Sequence, residues 1–224
     1  MLAGREPDLA TDIIVEYGEH SSLLRALASG LGYYINDIST LSLHFADKLI
    51  CVLRRQYEIP TKYITIIRNK AVVIYNPPLP VPDINKSLSD YPTILFSGGG
   101  IFVKGFHLAV KVFTKILSQH NCRIYLISRY SSSYQHRFLE RYASKSHGKL
   151  IALNRVLHEK LIALHKYAWA IVFPSICEEP LPYSIARSCL LGTIPVASRV
   201  GGVPRLLRKH MQRSCLDLVM LKTS

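Results

Sequence analysis

Three glycine- and acid-bearing loops hold the residues able to do chemistry in this 224-residue sequence. The first is Ser97-Gly98-Gly99-Gly100-Ile101-Phe102-Val103-Lys104-Gly105. Glycines let backbone N–H groups come close to a ligand, and a helix start just behind them favours an anion. Lys104 adds a point charge suited to a phosphate. The loop is neither a Walker loop, which needs Gly-Lys-Ser/Thr, nor the GxGxxG fingerprint. Taken alone it reads equally as a flexible glycine turn with a solvated lysine. The second loop is Pro174-Ser175-Ile176-Cys177-Glu178-Glu179-Pro180-Leu181-Pro182. Pro182 suits the first position of a helix, so the N–H groups of Tyr183 and Ser184 are expected to open into a cleft. A carboxylate at that place stabilises the helix start. With two, Glu178 and Glu179, one is left for a ligand hydroxyl. The third loop, Ser198-Arg199-Val200-Gly201-Gly202-Val203-Pro204, again joins a strand pattern to a helix pattern.

The elements that must position these loops follow from periodicity. Strands are expected at 93–97, 123–127, 150–153, 169–173 and 194–197, as short apolar runs. Helices are expected at about 105–119, 133–145, 158–168, 182–191 and 203–209. In the first of these Phe106, Val110, Phe113 and Leu117 share one face. In the third, Leu161, Ile162 and His165 lie together. Strands alternating with helices imply βαβ units, a parallel sheet and a doubly wound, Rossmann-like α/β domain over 93–224. In such a fold ligands bind beyond the C-terminal ends of the strands, which is where all three loops fall. Residues 76–92 carry five prolines with Asn, Asp and Ser, and read as a junction that no central strand can cross. Before it, residues 1–75 read as part of a second domain. Strands are expected at 12–17, 48–53, 63–67 and 71–75, and helices at 20–29 and about 38–46.

Composition bounds the reading. Nearly half of the residues are apolar and 19% are charged, which are globular values. The net charge of +13 favours polyanions: nucleotides, nucleic acid or an anionic membrane surface. Five cysteines without a CxxC pair argue against a disulfide framework and for a cytoplasmic protein. No apolar run is long enough for a transmembrane helix, and the N-terminus is unlike a secretory signal. Attachment at a membrane surface is compatible with the charge. His158-Glu159 is not HExxH, because position 162 is Ile, and His165 lies at a spacing without a metal pattern. Cys177 and Cys189 read as small core residues.

The ordered set Lys104-Gly105, then Pro174-Ser175-x3-Glu179-Pro180-Leu181-Pro182-Tyr183, then Leu191-Gly192-Thr193-Ile194-Pro195-Val196-Ala197-Ser198-x-Val200-Gly201-Gly202-Val203-Pro204 resembles the family 4 glycosyltransferases of the GT-B fold. The clear resemblance covers about 93–205. Ala46-Asp47-Lys48-Leu49-Ile50-Cys51-Val52 is similar to that family's "ADRIICVS" strand, and Val72–Pro77 to its domain junction. The resemblance implies retaining transfer of a hexosyl group from a nucleotide sugar to a glycan, lipid or small-molecule acceptor. It implies no metal, the leaving diphosphate being stabilised electrostatically. Carried over residue by residue, Lys104 is the phosphate lysine and Glu179 the glutamate on the sugar hydroxyls. Both are the residues implied for catalysis. Gly98, Gly99 and Gly100 line the donor, Leu181 belongs to the acidic loop, and Tyr183 and Ser184 meet the donor through backbone N–H groups. Asn154, Arg155 and Val156 lie where the base-binding loop is expected.

The sequence departs from the family at three positions. Gly99 stands where the family has a phosphate-binding Arg. Arg187 stands where a second glutamate holds the ribose, and a guanidinium cannot accept a bond from a ribose hydroxyl. Arg205 replaces another acid. His20 and His44 sit in no motif that matches the family's sugar-facing His. The N-terminal domain looks partial, so a truncated or divergent member, completed by a second polypeptide, is an expectation. Two other classes stay open: a non-catalytic nucleotide-binding or partner module, and a basic nucleic-acid-binding protein. The scattered charge and the lack of a recognition-helix or RNP-like motif speak against nucleic acid.

Overall fold

Short apolar runs become strands, and the amphipathic segments between them become helices, in the computed structural model of the chain. It describes residues 13–14, 17, 22–28, 37–77, 80–127, 139–144, 146–154 and 156–211. Two units are present. One is Met1–Pro77 with the loop segments Cys177–Leu181 and Val200–Pro204. The other is Pro78–Ile176 with Pro182–Arg199 and Arg205–Ser224.

In the first unit α1 (Asp37–Phe45) leads to β1 (Leu49–Cys51), α2 (Arg54–Tyr63), a 3-10 turn (Thr65–Ile67) and β2 (Ala71–Val73). β1 and β2 run parallel, with Leu49 opposite Ala71 and Cys51 opposite Val73. Two strands expected from the sequence are not strands. Ile13, Ile14 and Tyr17 are helical, and residues 63–67 form the end of α2 and the 3-10 turn. The β-forming Tyr and Ile of that stretch are overridden by packing. Ile59, Thr61 and Ile67 are buried in this stretch. Pro60 lies inside α2 and lacks the N–H that would bond the carbonyl four residues back. The Cys51 thiol takes that place, donating to the Gln56 carbonyl at 3.5 Å. Residues 23–28 are helical, within the expected helix at 20–29.

The second unit is a five-stranded parallel sheet. β3 (Thr93–Phe96), β4 (Arg123–Ile127), β5 (Leu150–Leu153), β6 (Ala170–Phe173) and β7 (Ile194–Ala197) stand in the order β5-β4-β3-β6-β7. The chain winds outward from β3 through β4 to β5, then returns to the other side of β3 and continues through β6 to β7. This is the doubly wound order, with its switch point between β3 and β6. Four helices accompany the strands: α3 (Phe106–Gln119), α4 (His158–Tyr167), α5 (Tyr183–Leu190) and α6 (Val203–Met211). Residues 139–144 are also helical; the rest of the helix expected at 133–145 lies outside the described residues. The apolar face read on α3 is the one that packs. Phe106, Val110 and Phe113 are buried against Phe96, Ile124 and Leu126, and Leu117 packs at the margin. Phe96 and Phe113 meet edge to face, with ring centroids 6.4 Å apart.

Among its described residues the proline-rich junction forms no helix or strand, and part of it is a strap across the end of α4. A helix leaves its last four carbonyls unpaired. Here Lys86 Nζ donates to the carbonyls of His165 and Ala168 at 2.5 and 2.6 Å. The N–H groups of Ser87 and Ser89 bond the carbonyls of Lys166 and Tyr167. The four orphan acceptors are thereby satisfied by one short segment. The ring N–H of Trp169 closes the strap by donating to Ser89 O at 3.0 Å.

Candidate functional site

The switch point of the sheet is where the loops after β3 and β6 emerge, and they are stitched together. Ile176 N–H and Ser175 Oγ both donate to the Val103 carbonyl, at 3.0 and 3.2 Å. Gly105 has φ 71° and ends the 3-10 turn Phe102–Lys104. A Cβ on it would lie 1.9 Å from the Pro174 carbonyl oxygen. Only glycine admits both the left-handed backbone and this approach. Lys104 is thus carried on a turn held against the end of β6, and α3 starts at Phe106 behind it. Gly99 also has positive φ, 84°, and a Cβ on Gly98 would meet the Phe96 ring at 2.8 Å. The run Gly98–Gly100 is therefore shaped by backbone geometry and not merely loose.

α5 begins at Tyr183, with Pro182 as its N-cap and not, as expected, its first helical residue. The shift is one position and leaves the essential consequence in place. The first helical bonds run from Ile185 and Ala186 N–H to the Pro182 carbonyl, so the N–H groups of Tyr183 and Ser184 precede the hydrogen-bonded part of the helix. Arg187 lies one turn further along, partly buried, with an Nε that is buried and has no partner. Burial pushes its guanidinium pKa down. Val156 is partly buried after β5 and Asn154 is exposed, while Arg155 lies outside the described residues.

The acidic loop has its own geometry within the first unit. Glu178 Oε2 accepts the Gly201 N–H, and its Oε1 lies 3.4 Å from Arg55 Nε. Glu179 O accepts the Gly202 N–H at 2.7 Å. A Cβ on Gly201 would lie 2.1 Å from Glu179 O, and one on Gly202 would lie 2.0 Å from Pro180 O. The Gly201-Gly202 pair thus exists so that two loop backbones can touch. Glu178 is held in place by its contacts with Gly201 and Arg55. Glu179 carries its carboxylate beside the Cys177 thiol, 3.8 Å away; Leu181, on the same loop, is partly buried.

A buried polar cluster lies at the end of α4, where His165 meets Lys86 and Thr193, the residue before β7. His165 is wholly buried. Thr193 Oγ1 donates to the His165 carbonyl at 3.2 Å and receives Lys86 Nζ at 3.0 Å. It therefore accepts from His165 Nδ1, also at 3.0 Å, which leaves Nε2 unprotonated and without a partner. Burial first, then the charges of Arg187 and Lys86, lower the His165 pKa to about 4. Burial lowers that of Lys86 to about 8, which still leaves the ammonium largely protonated at neutral pH. His44 is exposed at the end of α1, where its carbonyl receives Lys70 Nζ; His20 lies outside the described residues. Among the described residues no His, Cys, Asp and Glu group is placed to hold a metal ion. None of the described helices is long and apolar enough to cross a membrane.

Residues 81–217, more than half of the chain, match the model of the family described as glycosyl transferases group 1. The chain belongs to that family. No curated protein matches it. Among solved structures, this glycosyl transferases group 1 chain is similar to the catalytic domain of starch synthase IV from Arabidopsis thaliana, bound to ADP and acarbose. The identity is 15% and the TM-score 0.59, over 81% of this chain and 46% of that one. It is also similar to sucrose-phosphate synthase from Thermosynechococcus elongatus, at 20% identity and a TM-score of 0.59, over 86% and 49% of the two chains. Anabaena HepE in complex with UDP-glucose gives 16% identity and a TM-score of 0.57, over 79% and 50%. At these identities the likeness is one of fold, the Rossmann-like GT-B architecture. The chain spans about half the length of these structures.

Proposed function

We propose that the chain supplies the donor site of a retaining glycosyltransferase, which moves a hexosyl group from a nucleotide sugar to a glycan, lipid or small-molecule acceptor. The observation that carries this reading is the stitched switch point. Lys104, the Gly98–Gly100 backbone and the opening N–H groups of α5 all belong to the loops that follow β3 and β6. An anionic leaving group is what such a set of donors serves. In this reading Lys104 and the Tyr183 and Ser184 N–H groups take the diphosphate as the glycosidic bond breaks. By its resemblance to the family's acidic loop, Glu179 is the residue for the sugar hydroxyls. Val156, with Arg155, borders the base. The chemistry asks for no metal, because the leaving charge falls on fixed cations and dipoles. The acceptor attacks from the side that the diphosphate leaves. The basic charge suits peripheral attachment to an anionic membrane on the cytoplasmic side, where a lipid acceptor would be met.

The test is calorimetric titration of the chain with UDP, GDP and ADP, beside Lys104→Ala. One nucleotide should bind saturably, and the variant should lose at least tenfold in affinity. Absence of binding at millimolar nucleotide would sink the reading. Binding with no turnover of the matching nucleotide sugar would leave the non-catalytic nucleotide-binding module in its place.

A further inference from the structure

The end of the five-stranded sheet where the strands begin, opposite the donor loops, collects exposed apolar side chains. Six of the ten large apolar side chains exposed among the described residues of the second unit stand there. They are Leu88 and Tyr91 on and beside the strap, Tyr167 at the end of α4, Trp169 just before β6, Leu190 at the end of α5 and Ile194 at the start of β7. Of the other four, Ile101, Leu157 and Tyr183 belong to the loop end and Val112 to the middle of α3. Single exposed apolar residues are ordinary, but a group of them rimmed by polar residues marks a contact surface.

Main-chain bonds hold the group together. Ser89 N–H donates to the Tyr167 carbonyl, Trp169 N–H to the Thr93 carbonyl and Ile194 N–H to the Trp169 carbonyl. The indole N–H of Trp169 is spent on Ser89 O, so what its 39% exposure presents is ring carbon. The surface is therefore preformed, and little ordering is lost when it is covered. Cations lie in the same layer. Arg123 Cζ is 4.9 Å from the centroid of the Tyr91 ring, and Lys166 Nζ is 5.5 Å from that of Tyr167. Lys149 stands before β5, next to Arg123 across the sheet, where its carbonyl receives Ile124 N–H. Against these cations, segments 86–92, 119–123, 147–150, 165–169 and 190–194 carry one acid, Asp90.

Aromatic rings with a polar edge, aliphatic side chains and Lys or Arg in a single layer match the boundary between water and a bilayer. Binding there grows with buried apolar area and with attraction to anionic lipid, and the chain carries a net charge of +13. A second copy would set the same cations against each other. We propose that this end of the sheet docks on an anionic lipid bilayer, with Leu88, Tyr91, Tyr167 and Trp169 at headgroup depth and Arg123, Lys149 and Lys166 on lipid phosphates. The proposal deepens the peripheral attachment read above and does not depend on the donor site. It leaves the loops after β3 and β6 at the far end of the sheet, open to soluble nucleotide.

Trp169 is the single tryptophan and reports on its own surface. The full chain is sedimented with phosphatidylcholine vesicles, with and without phosphatidylglycerol, and Trp169 emission is followed as brominated phosphatidylcholine is introduced. The chain should partition into the anionic vesicles, release as salt rises, and show a blue-shifted emission that brominated lipid quenches. Leu88→Ser with Ile194→Ser should weaken partitioning roughly tenfold or more, and so should Arg123→Gln with Lys166→Gln. The urea midpoint checks that each variant is folded; if the apolar pair is not, the charge pair decides. No partitioning into anionic vesicles overturns both this proposal and peripheral attachment. Partitioning without quenching of Trp169, or unchanged in the variants, places attachment elsewhere and overturns this surface alone. Shielding of Trp169 that rises with protein concentration in the absence of lipid gives the surface to a second copy and overturns the proposal. Nucleotide titration without lipid decides the donor site separately.

Discussion

Acid should destabilise the sheet domain through one residue, His165. Its imidazole is wholly buried, and its pKa is lowered from 6.5 to about 4 by burial and by the charges of Arg187 and Lys86. In the unfolded chain the ring returns to its ordinary value. Below 6.5 the unfolded state therefore binds a proton that the folded state refuses, and stability falls with pH. The contribution is fully present above pH 6.5 and is lost as pH falls through about 4. At pH 5 the two pKa values give a loss of roughly 2 kcal/mol, and well below pH 4 about 3 kcal/mol. The assay is urea unfolding at pH 7 and pH 5, followed through Trp169, the single tryptophan, which sits on the strap beside α4. With a slope of roughly 2–3 kcal/mol/M, the midpoint should drop by about 0.7–1 M. His165→Asn keeps a donor for Thr193 Oγ1 and cannot titrate. It should be less stable than the parent at pH 7 and lose most of the pH dependence. An unchanged pH dependence in His165→Asn would refute the reasoning.

Lys86→Met keeps the aliphatic stem and removes the cap of α4. It should cost about 2–3 kcal/mol at neutral pH, since three buried oxygens lose a charged donor, read as a lower urea midpoint. Gly105→Ala should destabilise by more than about 2 kcal/mol, because it combines φ 71° with a Cβ placed against the Pro174 carbonyl; a calorimetric melting curve would show it. Glu178→Ala removes the acceptor of the Gly201 N–H and should cost roughly 1.5–3 kcal/mol. Glu178→Gln, which keeps an acceptor oxygen, should recover part of the loss in the same melt.

The five-stranded sheet was legible because parallel strands buried on both faces are continuous apolar runs. Thr93–Phe96, Arg123–Ile127 and Leu150–Leu153 stand within a residue of where the pattern puts them. The α2 region was not legible. Pro60 argues against a helix, and the tyrosines and isoleucines after it argue for a strand. What decides is packing, the burial of Ile59 and Ile67, with the Cys51 thiol on the Gln56 carbonyl taking the bond that Pro60 leaves open. The strap was hidden for the same kind of reason. Lys86 bonds main-chain carbonyls about eighty positions away, and no side-chain pattern advertises a carbonyl. At the candidate site the loops and their order could be read from glycine, lysine and proline. The role of Glu178 as acceptor of the Gly201 N–H could not, because it depends on how closely Gly201 and Gly202 approach the acidic loop. Arg187 was visible as a departure from the family, but its isolation appears only once its neighbours are in place.

The central claim is that a nucleoside diphosphate sits at the β3–β6 switch point. The most direct measurement is amide NMR of the chain during titration with the preferred nucleotide. The account predicts saturable shifts at Gly98–Gly100, Lys104, Gly105, Tyr183 and Ser184, with the strap at Lys86–Ser89 left in place. Shifts confined elsewhere, or none at millimolar nucleotide, would contradict it.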